Sequence, residues 1–177
     1  MVQTDDSVKL AQSNRITTLG CVGLVILVIL LVLIAAVGVR ASLNSQRAQA
    51  LDALGRMREQ VDKAPGIMDR MIAFDCGDDA SEAVSIAREH VDLLEPGSSS
   101  DEIEAAWDEV EAAWAAVNRG CSQYLSDPAF MNLSTEMEGV RNRLSVEEGK
   151  YRDLADVYNT SLSVFPGILF RQGFDEL

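Results

Sequence analysis

One uninterrupted apolar stretch constrains this chain more than any other feature of its sequence. Residues Thr17–Val39 read TTLGCVGLVILVILLVLIAAVGV, with no charged residue and no proline, and Arg15 and Arg40 flank them. As an α-helix this stretch would be about 34 Å long, which is enough to cross a hydrocarbon core of about 30 Å. The sequence therefore predicts a transmembrane helix at residues 17–39, in contact with a lipid bilayer.

Two cleavable leaders are alternatives to a retained membrane helix. A secretory signal peptide has a basic start and an apolar run of only about 7–15 residues, whereas Asp5 and Asp6 precede this longer run. VRA at 39–41 still resembles a cleavage site. A lipoprotein signal would place its cysteine after the apolar stretch, but Cys21 comes before most of it. A retained helix is the preferred interpretation, with residues 1–16 as a short polar N-terminal tail.

The charge of the chain restricts its partners. The formal net charge is −13 at pH 7, and the acidic and basic side chains of residues 1–16 balance, so the excess belongs to residues 40–177. A surface this negative repels phosphate backbones, and we expect no nucleic-acid partner. We interpret the charge as keeping a membrane-tethered domain soluble, with an acidic docking face as the alternative.

Apolar residues at alternating steps of three and four predict four helices after the membrane span. The predicted helices are residues 41–74, 79–94, 101–125 and 128–165. With short turns between them, the expected fold is all-α: one N-terminal transmembrane helix followed by an antiparallel up-and-down four-helix bundle. The bundle is predicted over residues 40–165, and residues 166–177 are predicted to be a C-terminal tail that packs back on it.

Local signals support the boundaries of these helices. Ser99 and Glu102 have the spacing of a capping box at the start of the third helix. Asp127 before Pro128 predicts an N-cap followed by proline at the first helical position. Pro65 and the following glycine lie inside the first bundle helix, where the apolar pattern resumes in phase and predicts a kink rather than a break.

The bulky aromatic residues of the last two helices share a spacing of seven. They are Trp107 and Trp114 in the third helix, and Tyr151, Tyr158 and Phe165 in the fourth. Two tryptophans at this spacing suggest either a ligand slot or a packed core, and we interpret them as core. The aromatics of the fourth helix are predicted to form one buried stripe that ends where Pro166 ends the helix.

The chain contains no recognisable catalytic or cofactor motif. His90 is its only histidine and is predicted to lie on a solvated helix face. The carboxylates of DCGDDASE, residues 75–82, lack the ligand spacing of a calcium loop, and Asp79 with Glu82 better fits a helix N-cap and its partner. We therefore expect no metal, no cofactor and no enzymatic activity, against the alternative of an enzyme that uses the carboxylates of residues 75–82.

Two cysteines, Cys76 and Cys121, lie outside the predicted span. In an up-and-down bundle the first turn and the end of the third helix lie at the same, membrane-distal end. Cys76 and Cys121 could then be neighbours, although the short second helix could leave them at different heights. A disulfide between them requires an oxidising compartment, so both the bonded and the free state remain open.

Residues 128–174 also carry a family pattern, in which aromatic, Asn and Pro residues recur towards the end of the last helix. The matching residues are Phe130, Leu133, Asn142-Arg143-Leu144, Tyr151, Tyr158-Asn159, Leu162, Phe165-Pro166 and Gly173-Phe174, with Ala87-Arg88, Asp62 and Pro65 upstream. This pattern resembles the LemA family, well over residues 128–174 and loosely over most of residues 55–177. The chain would be a divergent member.

The sequence departs from the LemA pattern at several positions. Arg152 follows Tyr151 where the family has asparagine, and the charges at Arg141 and Glu148 are exchanged, as if an ion pair with another helix were inverted. Cys76-Gly77 stand in place of a His-Glu pair, and an early tryptophan is missing. No functional role that rests on those family residues is carried over to this chain.

The resemblance implies a short N-terminus outside the cell, one membrane helix, a cytoplasmic helical bundle and a bacterial source. It implies no established catalytic activity, and one branch of the family is tied to the formation of magnetosome membranes. Basic residues near the span agree with this orientation, because they accumulate on the cytoplasmic side. Four follow the span (Arg40, Arg47, Arg56 and Arg58) and two precede it (Lys9 and Arg15).

These observations predict a non-enzymatic, single-pass membrane protein whose LemA-like bundle is a protein-docking or membrane-organising assembly module. We expect an unidentified protein partner and a homo-oligomer. Asn159 falls beside the predicted seam and either bonds across helices or faces water. The alternative is an extracytoplasmic helical-bundle sensor similar to chemoreceptor ligand domains, although those domains return through the membrane by a second span and this sequence shows only one.

Overall fold

A computed structural model describes the backbone of residues 5–174 and 177, and the side chains of residues 23–174 and 177. Every regular element in this part of the chain is helical, which confirms the all-α prediction. The elements are α1 (Asp5–Val61), α2 (Ala64–Ile72), α3 (Asp78–Asp92), α4 (Ser100–Gly120) and α5 (Pro128–Ser163), with 3₁₀ turns at Ser122–Tyr124 and Gly167–Gly173. The predictions for residues 1–4, for the side chains of 5–22 and for residues 175–176 lie outside the described residues.

The helix α1 is continuous from Asp5 to Val61. It includes residues 5–16, which were predicted as a tail, because they contain neither proline nor glycine to interrupt a helix. From Leu24 to Val37 its large apolar side chains are exposed. This N-terminal helix is long and apolar enough to cross a membrane, and it continues past the apolar stretch without a linker.

The prediction of one kinked helix over residues 41–74 is wrong, because α1 and α2 are separate helices with a break at residues 62–63. Pro65 has no N–H to donate to the carbonyl of Val61, four residues earlier, and its ring crowds that carbonyl. The hydrogen-bond ladder of α1 therefore ends at Val61. The apolar seam resumes in α2, which explains why the periodicity alone did not reveal the break.

The described residues fall into two compact units, residues 5–44 with 161–174 and residues 45–160 with 177. We refer to them as the anchor unit and the core unit. The core unit contains the end of α1, all of α2, α3 and α4, and most of α5. The anchor unit contains the apolar part of α1 and the residues around the end of α5.

Helix caps in the core unit follow the sequence in two of three places. The capping box of Ser99 and Glu102 at the start of α4 is confirmed, with the Glu102 N–H donating to Ser99 Oγ at 3.3 Å. The cap of α5 is also confirmed, because the Ala129 N–H donates to Asp127 Oδ1 at 2.8 Å. The predicted cap at Asp79 is wrong: α3 begins one residue earlier, and Gly77, at φ +87°, occupies the cap position without a side-chain bond.

The seam predicted between residues 50 and 71 is buried throughout. The buried residues on this seam are Ala50, Leu54, Met57, Val61, Ala64, Met68 and Met71, and Ile67 joins them. They pack in one cluster with buried residues of α3, α4 and α5. At roughly 1.5–3 kcal/mol for each large apolar side chain removed from water, this cluster is the main source of stability in the core unit.

The two tryptophans of α4 are half-buried and pack against this cluster rather than within it, which corrects their assignment to the core. The buried face of α4 instead alternates large and small residues: Ile103, Ala106, Val110, Ala113 and Val117. Small side chains at 106 and 113 allow a neighbouring helix to approach closely. The indole rings of Trp107 and Trp114 are therefore placed at the edge of the helix contact.

Polar contacts connect α5 to three other helices of the core unit. Arg56 Nε in α1 donates to Glu147 Oε2 at 2.9 Å, and Arg70 in α2 pairs with Glu136 at 2.8 Å. In α4 the partner is Glu111, which lies 3.0 Å from Arg141 Nε. A further bond joins the Arg143 Nε to Gln60 Oε1, the buried polar side chain of α1.

In the anchor unit, Phe165 is 79 % exposed, so its assignment to the buried stripe is wrong. The helix α5 ends at Ser163 rather than at Phe165. Leu162, which is fully buried, takes the inward position instead.

Candidate functional site

The turn between α2 and α3 and the end of α4 are joined by a disulfide between Cys76 and Cys121. Their Cα atoms are 4.4 Å apart, and both residues are buried. Gly120 makes this approach possible, because a Cβ at that position would lie 2.0 Å from the carbonyl oxygen of Cys76. The bond closes a loop around α3 and α4, and its chemistry is that of a redox-sensitive cross-link.

Carboxylates are numerous next to this disulfide, but they do not converge. Among the residues that the structure describes, no group of three or more His, Cys, Asp or Glu side chains could hold a metal ion. Asp78 and Asp79 occupy the first turn of α3, where negative charge favours the positive end of the helix dipole. His90 lies on α3 with its side chain 45 % exposed and its Nδ1 3.8 Å from Glu109.

A groove beside Trp107 is one of the concave sites of the core unit. It has a volume of about 310 Å³, at the lower end of the range for small-molecule sites. Its apolar lining comes from Met57, Ile103, Trp107 and Leu144, and its polar lining from Glu104, Asp108, Glu111, Arg141, Ser145 and Glu148. Trp107 is therefore one wall of a groove, whereas Trp114 does not line it.

Most of the charged residues of this groove are engaged in ion pairs. Arg141 pairs with Glu111 of α4, which is the kind of interhelical pair that the exchanged charges suggested. Arg152 lies beside the groove and pairs with both Glu148 and Glu104, the latter at 3.5 Å. The groove is acidic and aromatic, and its carboxylates hold α4 and α5 together.

Asn159 forms a two-bond clamp on the backbone of Leu177. Its Nδ2 donates to the Leu177 oxygen at 2.9 Å, and the Leu177 N–H donates to Asn159 Oδ1 at 3.1 Å. The Leu177 side chain packs against the hydrophobic core of the core unit. The side chain of Asn159 thus bonds within the core unit to a segment that follows α5 in sequence.

Several other residues of the LemA-like pattern are buried or form ion pairs with another helix. Ala87 is fully buried, and Arg88 next to it forms an ion pair with Asp69 of α2. Phe130 and Tyr158 are fully buried, and Tyr151 is 8 % exposed. Phe130 also contacts the ring of Phe74 edge-on, with a centroid distance of 5.6 Å. Pro166, by contrast, is exposed beyond the end of α5.

Glu147 interrupts the three-and-four spacing of apolar residues along α5, and we refer to this position as a polar lapse. Hydrogen bonds from Lys150 Nζ at 2.6 Å and from Arg56 Nε at 2.9 Å hold its pKa below the ordinary value. The same contact raises the pKa of Arg56, which also pairs with Asp52. The polar lapse is therefore an ion-pair position between α1 and α5.

Sequence reasoning missed the partners of these residues rather than the residues themselves. Asp69, Gln60 and Glu147 all face a basic residue of another helix. Their positions beside or within an apolar seam were visible in the sequence. Which helix supplied the partner depends on the relative rotation of two helices, which a single sequence does not give.

Comparisons with known proteins assign no family to this chain. Neither the scan against protein-family models nor the search of curated proteins gives a match for this chain. The search of solved structures gives no match either. The resemblance to the LemA family therefore rests on the residues quoted above and enters as a proposal.

Proposed function

We propose that this chain is a single-pass membrane protein whose helical domain is a non-enzymatic docking or assembly module. Residues 17–39 cross the bilayer, and the core unit is an antiparallel four-helix bundle of the LemA type. The observation that carries this proposal is the continuity of α1, which passes from exposed apolar side chains at residues 24–37 to a buried apolar seam within residues 50–61. One helix thereby supplies both the membrane anchor and the first member of the bundle.

Contacts among the helices support the bundle arrangement. In this proposal α1 and α2 together make up one arm, and α3, α4 and α5 are the other three. α3 packs against α4 and α2. α5 has polar partners on α1, α2 and α4. These contacts give each arm at least two neighbours, as an up-and-down bundle requires.

The chemistry of the groove supports docking rather than catalysis. A general acid or base needs a carboxyl group held away from compensating charges. The carboxylates of Glu111, Glu104 and Glu148 instead form ion pairs with Arg141 and Arg152. We propose a protein partner, a second copy of the chain included, because the net charge of −13 disfavours nucleic acid.

The LemA resemblance supports the same function. Its aromatic residues Phe130, Tyr151 and Tyr158 are buried, and Asn159 binds backbone atoms of Leu177. Buried or backbone-bonded positions of this kind are expected for family residues whose role is to hold the helices together. By this resemblance, and by the four basic residues that follow the span, the bundle faces the cytoplasm.

A second candidate is an extracytoplasmic sensor or ligand-binding bundle. The specific observation in its favour is the Cys76–Cys121 disulfide, because disulfides persist in oxidising compartments and are rare in the cytosol. The groove beside Trp107 would be its ligand site. The two candidates differ in the compartment of the core unit, so the side of the membrane on which this unit lies distinguishes them.

Labelling of intact cells with a membrane-impermeant thiol reagent tests the choice, with and without prior reduction, followed by mass spectrometry of the peptides that contain Cys76 and Cys121. The docking proposal expects both residues to stay unlabelled in intact cells, with or without an impermeant reductant, and to be labelled only after lysis and reduction of the disulfide. Labelling of either residue in intact cells, before or after the impermeant reductant, would reject the cytoplasmic docking module and support the sensor. Cys21, inside the span, serves as the internal control that stays unlabelled in intact cells.

A further inference from the structure

Four large apolar side chains are exposed together just after α5. Val164, Phe165, Ile168 and Leu169 are 53 %, 79 %, 49 % and 69 % exposed, within the sequence VFPGILF of residues 164–170. In the part of the chain with described side chains, the other exposed large apolar residues outside the stretch from Leu24 to Val37 are scattered singly. Single exposed residues are ordinary on soluble domains, whereas a contiguous apolar patch marks a contact surface.

This C-terminal apolar segment, residues 164–170, is held by a tight turn. Gly167 is buried, and a Cβ on it would lie 1.8 Å from the carbonyl oxygen of Ser161 and 3.5 Å from the Cα of Leu162. Only glycine allows the chain to fold back this closely on the last turn of α5. Leu162, at the start of this turn, is fully buried, whereas the large apolar side chains on either side of Gly167 are exposed.

The C-terminal apolar segment shares the anchor unit with the apolar part of α1. In the same unit Leu43 is only 2 % exposed, although its helix neighbours at residues 41, 42 and 44 are exposed. Leu43 lies about 6 Å along the helix beyond Val39, the last residue of the apolar stretch. The polar headgroup layer is about 5–8 Å thick on each side of a bilayer, so this part of the unit falls at that depth.

The charge of this segment is compatible with contact with a lipid surface. Residues 1–44 carry two acidic and three basic side chains, and residues 161–177 carry two acidic and one basic, so the net charge of −13 belongs to residues 45–160. Within residues 161–174 the one charged side chain is Arg171. Aromatic and arginine side chains are well suited to the membrane interface.

We propose that the C-terminal apolar segment lies in the membrane interface next to the end of the span, with Phe165 and Leu169 among the lipid headgroups and upper acyl chains. The membrane contact of this protein would then have two parts, a spanning helix and an interfacial segment more than a hundred residues later in sequence. This inference rests on the proposed membrane span and adds a second lipid-binding site to it.

Photo-cross-linking in nanodiscs of phosphatidylcholine and phosphatidylglycerol tests the inference with the full chain. The photoreactive residue benzoylphenylalanine would replace Phe165, or Leu169 in a second variant, and lipid adducts would be measured by mass spectrometry. Val146 is the matched control, because it too is an exposed apolar residue, at 56 %, but it lies on α5 in the core unit. Leu30, within the apolar stretch, is the positive control for the span.

We expect lipid adducts at positions 165 and 169 several-fold above those at 146, and strong adducts at 30. Adducts at 30 with none above the control level at 165 and 169 would overturn this inference and leave the membrane span intact. No adducts at 30 would instead reject the proposed membrane span. Adducts at 165 with a second copy of the chain would also overturn the inference, because the patch would then be a self-association surface.

Discussion

The two parts of α1 carry equally apolar residues and use them in opposite ways. From Leu24 to Val37 the large apolar side chains follow one another without a period, and they are exposed. From Ala50 to Val61 the apolar residues that recur at steps of three and four are buried, whereas Leu51, which lies outside this spacing, is exposed. The backbone is the same continuous helix in both parts. The pattern of apolar residues, rather than their number, thus distinguishes an exposed apolar surface from one buried against other helices.

The comparison extends to the polar residues. In the anchor unit α1 has no charged residue from Gly23 to Val39, so nothing resists transfer into hydrocarbon. In the core unit, charged residues flank the apolar seam and bond to other helices, as Arg56 and Arg70 do. A change that affects one unit should therefore leave the other largely unaffected. The predictions below test this separation.

Reduction of the Cys76–Cys121 disulfide should give the largest effect, and it should be confined to the core unit. A bond that closes a loop of 45 residues contributes about 4 kcal/mol by restricting the unfolded chain. We expect the midpoint of urea unfolding, measured in detergent by Trp107 and Trp114 fluorescence, to move to a lower urea concentration. The free energy of unfolding should fall by about the same 4 kcal/mol. Cys21→Ser, with the same reductant, is the control for the remaining cysteine. An unchanged midpoint would contradict the prediction.

A charge in the apolar stretch should act on the anchor unit alone. Arginine at the centre of a membrane helix costs roughly 2.5–3.5 kcal/mol of insertion free energy, so we expect Leu30→Arg to release a large fraction of the protein on alkaline extraction of membranes. The unfolding of the core unit should not change.

Leu93→Arg is the matched control for this substitution, because Leu93 is a 70 % exposed leucine of the core unit. The control should stay in the membrane fraction, and its stability should change by less than about 0.5 kcal/mol. Equal retention of both variants in the membrane would show that residues 17–39 are not the anchor.

The smallest effect should come from Glu147→Gln, and it should depend on pH. Because the pKa of Glu147 is lowered in the folded state, its carboxylate stabilises the core unit above the ordinary value of 4.5, and this contribution is lost as pH falls through the folded-state pKa. The melting temperature of the variant should be lower than that of the wild type at neutral pH and equal to it in strong acid. The effect is small because Arg56 is 43 % exposed and salt screens the pair.

Glu59→Gln is the control for this pH dependence, since Glu59 pairs with Lys63 within one exposed turn and no interhelical contact depends on it. A difference between the Glu147 variant and the wild type that persists at low pH would show that packing, rather than charge, is responsible.

Periodicity predicted the core of α1 and α2 well and the ends of the other helices less well. Met57, Val61 and Met68 were assigned correctly because all three lie within helices, where a spacing of three and four keeps side chains on one face. Phe165 was assigned wrongly because α5 had already ended at Ser163, so that the helical period no longer applied. Apolar pattern alone therefore does not reveal where a helix ends.

The groove beside Trp107 could not be predicted from the sequence. Its walls come from α1, α4 and α5, and their relative rotation decides which side chains meet. The Cys76–Cys121 pair was more accessible to reasoning, since the predicted lengths and alternating directions of the helices made the two residues possible neighbours. The proximity of two chain segments is thus easier to infer from a single sequence than the rotation of each helix about its axis.

The disulfide also has a consequence for how the polypeptide can be cut. The exposed residues of the connection between α3 and α4, Glu95–Gly97, lie inside the covalent loop that Cys76 and Cys121 close. A protease that cleaves there produces two fragments that remain linked and migrate as one species on a non-reducing gel. Only a reducing agent would separate them, so a cleaved protein could not be distinguished from an intact one on such a gel until it is reduced.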